Sequence, residues 1–357
     1  EAAAIYCKKI LERELLLDDL KKNFLVVNCG GGIVELTLRQ LLSNNQLAEK
    51  SSTSSKQCGS IYVNKEFLAF IAKKVGLDAL EKLQSNHYEQ LQYMVQQFCK
   101  NCKVRFTGNK DDFEPYKMDL EDICPAIKVY ITEPYKEVLV KNNWLIILTY
   151  DDVKTLFEPI IDQIIKLIRE QLYSINTCFA MVLVGGFSQS EYLQTCIKKE
   201  FDQTIKHISV PKQLFATIEG ALEYGSNTKL IYSRVITMTY GIRTTSPCKE
   251  DQRKRFLRLV KKGTDVQVNQ EFEYEIRPCY KNQTEFSVEL YATTASNAIY
   301  CDEPDMKQIG TIDIVVPKSW SNQFINLVLF FGQIELHPYV RNRQGEILSA
   351  NFNLLDL

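Results

Sequence analysis

The sequence is poor in histidine and tryptophan, with three and two among 357 residues. His87, His207 and His337 are scattered, and none stands in a local Ser–His–Asp or Cys–His signature, which argues against nucleophilic catalysis of those types. Neither sign of charge dominates. Forty-three Lys plus Arg face 44 Asp plus Glu, a formal net charge of −1. Such a balance lacks the one-signed field of a nucleic-acid or acidic-membrane binder, so neither partner is expected. Long apolar runs are missing too: Cys178 to Val184 and Leu327 to Phe331 fall far short of the roughly 18–20 residues a membrane helix needs. The opening Glu1-Ala2-Ala3-Ala4 carries neither Met nor a basic-then-apolar signal pattern, and reads as the start of a fragment. What is present is a globular composition. At 45% hydrophobic and 24% charged residues the chain can bury sizeable cores, and its length suits two or three domains.

Eleven cysteines are spread over the chain, at positions 7, 29, 58, 99, 102, 124, 178, 196, 248, 279 and 301. They do not form a dense disulfide scaffold, so reduced thiols in a cytoplasmic chain are expected. Cys99 and Cys102 make a C-x-x-C pair, but a zinc site needs a second pair or nearby His, and His87 alone stands in that region. Buried thiols on a helix are the plainer reading. The sequon Asn282-Gln283-Thr284 matters only in a secreted chain.

Along the chain, Leu11, Leu15, Leu16 and Leu20 give a helical spacing within 5–22. A short apolar strand at Leu25-Val26-Val27 turns through Gly30-Gly31-Gly32 into a second, alternating strand over 33–41. Ser51 to Ser55 reads as a loop tip, and helices are expected over 64–75 and 77–102. Thr149-x-x-Asp152 forms a capping box ahead of a broad apolar helical face from Val153 to Leu172, with Pro159 inside it. A strand over 178–184, the turn Gly185-Gly186 and a helix over 190–201 follow. Strand, glycines and helix, twice over, argue for α/β architecture through about residue 225. Beyond it, runs such as Val235–Tyr240, Phe286–Tyr291, Thr311–Val316 and Ile325–Phe331 are β-rich, and a separate β domain is expected after Gly225-Ser226-Asn227.

Glycines at a strand end let backbone N–H groups approach a phosphate and form an anion-binding concavity. Gly30-Gly31-Gly32 stands at such an end, with Asn28 just before it. Gly185-Gly186 repeats the logic ahead of a helix N-terminus. Each alone is more often the mark of a tight structural turn.

Val26-Val27-Asn28-Cys29-Gly30-Gly31-Gly32-Ile33-Val34-Glu35-Leu36-Thr37 resembles the second phosphate motif of the heat-shock protein 70 family, Asp-x-Gly-Gly-Gly-Thr-x-Asp. Val182-Leu183-Val184-Gly185-Gly186-Phe187-Ser188 resembles that family's adenosine motif, and Glu1-Ala2-Ala3-Ala4 its connecting segment. Pro211 with Gly220-Ala221 is similar to the segment that closes its ATPase domain. Cys58-Gly59-Ser60-Ile61-Tyr62-Val63, Tyr240-Gly241-Ile242 and Phe331-Gly332 are in the style of the divergent 12A-like branch. The resemblance implies an α/β actin-like ATPase lobe, with a ribonuclease H-like motif, followed by a mainly β domain. Residues 1–24 would be the remnant of a connecting segment and first lobe, 25–225 the second lobe, and 226–357 a β-rich part resembling a chaperone's substrate-binding domain. ATP and Mg would be the cofactors, and an unfolded peptide or co-chaperone the partner. Gly30, Gly31 and Gly32 would cradle phosphates, while Gly185, Gly186, Ser188 and Gln189 would lie at the nucleoside. Lys103 and Thr107 resemble the family's nucleoside-covering segment, or else form a solvated helix face.

Departures fall in the phosphate motif. Asn28 and Glu35 stand at the family's Asp positions and Ile33 at its Thr. An amide brings only a dipole to a hard cation, and Ile33 brings no hydroxyl for a phosphate. Losing one charge-assisted contact, about 1.5–3 kcal/mol, lowers turnover roughly ten- to a hundredfold. Gln189 stands where many members have Arg. The family's first phosphate loop would precede Glu1, which leaves half the cleft outside this sequence. The expectation is an ATP-binding, chaperone-type heat-shock 70-like protein with weak or lost hydrolysis and no assigned catalytic residue. The alternative is a non-enzymatic interaction scaffold; a metabolite kinase fits the β domain and the opening poorly.

Overall fold

The computed structural model describes the chain except at residues 16–21, 174, 176, 212–214, 245–253, 277–282, 318–323, 333–334, 349 and 355–357. Asn282, Cys248 and Cys279 therefore lie outside the described residues. The architecture is mixed α/β, with a mixed sheet and further antiparallel sheets. Contacts divide it into two units, Glu1–Thr37 with Ser54–Leu222, and Leu38–Thr53 with Glu223–Leu357.

The first unit opens with α1 (Ala2–Leu15) and β1 (Asn23–Cys29), whose Phe24 to Val27 are all buried. A turn over 30–33 leads into β2 (Val34–Leu41), which belongs to this unit through Thr37 and to the second from Leu38. After β3 (Leu47–Glu49, in the second unit) comes β4 (Ser54–Lys56), which pairs with the first half of β2. The serine-rich tip expected as loop is thus partly strand. Backbone pairing with Val34, Glu35 and Leu36 supplies what the polar side chains do not.

Three helices follow, α2 (Ile61–Val75), α3 (Leu77–Asn86) and α4 (Tyr88–Phe98). The single helix expected over 77–102 is broken at His87, where φ is −142° and ψ 52°, and ends in a π-turn over Cys99–Lys103. A small antiparallel pair, β5 (Tyr116–Asp119) and β6 (Leu145–Leu148), brackets the short helices α5 (Leu120–Ile123) and α6 (Tyr135–Lys141).

Helix α7 (Tyr150–Tyr173) starts at the expected capping box. Thr149 donates N–H and Oγ–H to Asp152 Oδ2 at 2.8 and 2.6 Å, and Asp152 N–H returns to Thr149 Oγ1 at 3.2 Å. Next come β7 (Ala180–Val184), buried throughout, α8 (Glu191–Phe201), β8 (His207–Ser209) and α9 (Ala216–Ser226). Within this unit the strand order is β4-β2-β1-β7-β8, with β7 parallel to β1 and β8 parallel to β7.

In the second unit β2 continues beside β3, β9 (Ile231–Val235) and β12 (Asp265–Gln267). A five-stranded sheet runs β11 (Arg255–Val260), β10 (Thr239–Thr244), β14 (Glu285–Thr293), β15 (Lys307–Val315) and β19 (Ala350–Leu354). A four-stranded sheet runs β13 (Gln270–Ile276), β16 (Ile325–Phe331), β17 (Leu336–Arg341) and β18 (Ile347–Leu348). Leu290, Ile312 and Ile314 of one sheet and Ile325, Leu327 and Val340 of the other share one buried cluster. Lys254, Arg255, Arg258, Lys261 and Lys262 lie on and beside β11, at one end of the five-stranded order. Residues 38–53 group with the second unit, where Arg39 and Glu49 pair on β2 and β3 and Leu47 pairs with Ile231 of β9.

Candidate functional site: two glycine turns on parallel strands

β1 and β7 are parallel neighbours in a register that sets Asn28 opposite Val184. Both glycine turns therefore leave the carboxyl ends of adjacent strands, where open α/β sheets form their ligand crevices. The first turn closes on itself, with Gly30 N–H donating to Ile33 O at 3.0 Å. Its three glycine carbonyls then face one way. Gly30 O accepts from Ser60 N–H at 3.2 Å, Gly31 O from Ile61 N–H at 2.9 Å, and Gly32 O from Gly59 N–H at 3.1 Å.

These bonds cap α2. Its N-cap, Ser60, makes no side-chain cap bond, and the turn's carbonyls satisfy the leading N–H groups instead. The close approach requires a glycine at position 59, since a Cβ there would lie 2.3 Å from Gly31 O and 2.6 Å from Gly30 O.

In a trans peptide the C=O and the following N–H point in opposite directions. The peptide bonds of this turn are trans. With its carbonyls committed to α2, the turn aims the N–H groups of Gly31, Gly32 and Ile33 away from that helix. Among the described residues they have no hydrogen-bond partner. Gly31 is exposed, and a Cβ on Gly31 or Gly32 would meet only the Ile61 side chain, at 4.0 and 3.9 Å. Ile33 and Ile61 flank the turn with 49% and 44% of their surface exposed.

Asn28 sits at the end of β1, half-buried, and donates from Nδ2 to Oε2 of the exposed Glu35 at 3.4 Å. Its Oδ1 faces the second turn. A Cβ on Gly185 would lie 2.7 Å from that oxygen and 2.5 Å from Cys29 O, and Gly185 has φ +88°, so both space and backbone demand glycine. Gly186 is exposed with nothing within 4 Å of a Cβ.

Not every expected residue presents itself to that crevice. Ser188 is fully buried, and its hydroxyl donates to Gly185 O at 2.6 Å. The Gln189 amide donates to Pro211 O at 3.0 Å and to Ser188 Oγ at 3.3 Å, tying the turn to the segment before α9. Phe187 is buried and stacks on Phe157 of α7, with ring centroids 6.5 Å apart.

Lys103 turns inward from the π-turn, donating to Ser60 O at 2.6 Å and Asn64 Oδ1 at 2.8 Å. Burial lowers its pKa from the ordinary lysine value, and the neighbouring Cys99 acts in the opposite sense. Thr107 accepts from Asn109 N–H at 3.1 Å within its own loop. Gly59, Ser60 and Asn64 carry no chemical signature in the sequence; only the glycine in Cys58-Gly59-Ser60 hints at a close approach.

Cys99 and Cys102 are free thiols on the π-turn, and burial raises both pKa values, Cys102 to about 12. Among the described residues no cluster of three or more His, Cys, Asp or Glu is arranged to hold a metal, and no helix is long and apolar enough to cross a membrane.

No protein-family profile matches the chain. Curated proteins do. It is 23% identical over 347 residues to heat shock 70 kDa protein 12A of Mus musculus, covering 88% of this chain and 51% of that protein. It is 24% identical over 318 residues to the Homo sapiens 12A protein, covering 81% and 46%. To the Homo sapiens heat shock 70 kDa protein 12B it is 20% identical over 330 residues, covering 82% and 46%. The chain spans about half the length of the curated relatives it matches. Over most of its length the chain is thus similar to heat-shock 70-like proteins of the 12A branch, both 12A and 12B.

Proposed function

We propose that the first unit is the second lobe of an actin-like, heat-shock 70-type nucleotide-binding domain, and that its 30–33 turn receives the phosphates of ATP. One observation carries this reading. Three consecutive N–H groups, on Gly31, Gly32 and Ile33, share a side of the turn and have no partner among the described residues, and such a concavity suits an anion. The second turn, with Gly186 open, offers the nucleoside an approach on the neighbouring strand.

The same geometry supports slow or absent hydrolysis. Phosphoryl transfer depends on positioning and on stabilising charge. At the end of β1 the chain presents the Asn28 amide, already engaged with Glu35, and at the fourth turn position the Ile33 side chain, which has no hydroxyl. Glu35 is the carboxylate that the motif itself brings. Mg bound beside nucleotide commonly keeps one or two protein carboxylates along with phosphate oxygens, so Glu35 would hold it, and the metal would neutralise phosphate charge. The β-sheets of the second unit would correspond to the substrate part of a chaperone-type protein, with an extended peptide as its partner.

Calorimetric titration of the chain with Mg-ATP tests the reading, alongside an Asn28→Asp, Ile33→Thr double variant. Micromolar binding by the unaltered chain is expected. Binding by the double variant alone would favour a scaffold that no longer takes nucleotide, and binding by neither would remove the phosphate reading from this chain.

A further inference from the structure

We infer that Lys103 and Asn64 form a bracket that presets the glycine turn, which makes Lys103 a positioning residue and not a ligand contact. The link to nucleotide affinity rests on the phosphate reading above; the bracket itself does not.

The chain of contacts is short. Lys103 Nζ holds the Ser60 carbonyl at 2.6 Å, and the N–H of the same Ser60 holds Gly30 O at 3.2 Å. Asn64, one helical turn beyond Ser60, fixes the direction of the ammonium by accepting from it at 2.8 Å. Asn64 Oδ1 also accepts from Cys99 Sγ at 3.3 Å, so both ends of the π-turn are tied to the first turn of α2. π-turns inside helical runs recur at functional sites, and here the π-turn delivers the lysine to its acceptors.

Electrostatics argues that this lysine is not there for helix stability. The positive end of the α2 dipole is at its N-terminus, and a cation is unfavourable in that place. Its burial adds a desolvation cost. The arrangement gains from orientation. Lys103 holds the α2 start, the α2 start holds the three carbonyls, and the committed carbonyls aim the N–H groups of Gly31, Gly32 and Ile33 outward. Its charge also stands behind the turn, where it favours an anion in front.

The bonds that matter can be read one at a time by amide hydrogen exchange at Gly59, Ser60 and Ile61 in the ligand-free chain, with Val182 in β7 as internal reference. In Lys103→Met and Asn64→Leu, exchange at those three amides is expected to be about ten- to a hundredfold faster, the loss of a hydrogen bond to a charged group, with Val182 unchanged. Asn64→Asp keeps the acceptor and should retain protection. Mg-ATP affinity should fall in the first two variants by a similar factor. Unchanged exchange at the three amides in Lys103→Met would overturn the inference, even with weaker binding, since that pattern means direct ligand contact. Equal acceleration at Val182 would also overturn it, because the effect would then be global stability. If the unaltered chain fails to bind Mg-ATP, the phosphate reading falls, and the exchange data still decide the bracket.

Discussion

Asn28 Nδ2 donates to Glu35 Oε2 at 3.4 Å, linking the end of β1 to the start of β2 across the mouth of the glycine turn. An amide suits this position because it donates to the carboxylate and still offers Oδ1 toward Gly185. Aspartate cannot do both. Asn28→Asp would face two carboxylates at hydrogen-bond distance, and like charges so close disfavour joint ionisation. At neutral pH this variant should be less stable by roughly 1 kcal/mol, about 2–4 °C in Tm, because Glu35 is exposed and screened. Millimolar MgCl2 should restore the loss by bridging the pair, while the unaltered chain should gain little. Thermal unfolding with and without Mg checks this; a variant as stable as the parent without Mg would show that the two side chains move apart freely.

The two faces of the turn predict opposite outcomes for two glycine-to-alanine changes. Gly59→Ala drives a Cβ into backbone oxygens at 2.3 and 2.6 Å, which no rotamer relieves, so it should cost about 1–3 kcal/mol and loosen the α2 cap. Gly31→Ala meets only the end of Ile61 at 4.0 Å and should leave stability within about 0.5 kcal/mol. Its methyl stands beside the outward N–H groups, so nucleotide affinity should fall while denaturant midpoint holds. Urea titration and Mg-ATP calorimetry on both variants separate a glycine needed for the fold from one that the phosphate reading places at the nucleotide.

What the sequence made legible follows from where each element gets its stability. The capping box at Thr149 and Asp152 and the buried strand before Gly185 are local signals, and both form as expected. Strand β16 falls on the expected residues because Ile325 to Phe331 carry their own apolar pattern. Strand β4 was illegible since a serine-rich tip carries no strand pattern of its own, and the choice is made by backbone pairing with β2. The start of α2 at Ile61 was missed because its cap is not local: Ser60 stands at the N-cap but makes no side-chain cap bond, and carbonyls about 30 residues upstream take its place. Lys103 read as either ligand contact or solvated helix face, because a π-turn cannot be seen in residue spacing.

A buried ion pair in the second unit gives a stability prediction independent of any ligand. Arg39 and Glu49, 2% and 7% exposed, pair at 3.6 Å between β2 and β3. Glu49 also accepts from Thr53 Oγ1 at 2.9 Å and from Val235 N–H at 3.0 Å. Removing one partner of a buried pair costs about 3–5 kcal/mol, since the remaining charge stays desolvated. Glu49→Ala should approach that loss and release the N–H of Val235 in β9. Replacing both with apolar residues, Arg39→Met with Glu49→Leu, should be much less damaging. Denaturant unfolding of the three variants checks the order; equal losses for the single and double changes would mean the packing, and not the charge, matters.

The acid limb of stability should run through Glu289 on β14. Burial alone would raise its pKa, but hydrogen bonds from Tyr291 at 2.8 Å and Arg243 at 2.6 Å, with the charge of Arg243, outweigh that and hold it below the ordinary glutamate value. A depressed folded-state pKa means that the unfolded chain binds the proton more readily as pH falls. The stabilisation is therefore complete above the unfolded value of about 4.5 and is lost as pH drops through the lower folded one. Arg243→Met removes the largest cationic partner, so the variant should be less stable than the parent at pH 7 and the two should converge toward pH 3. Glu289→Gln should flatten the same limb. Urea midpoints measured from pH 7 to pH 3 read the slope directly, and an Arg243→Met deficit that stays constant over that range would show that the arginine acts there by packing and not through the ionised glutamate.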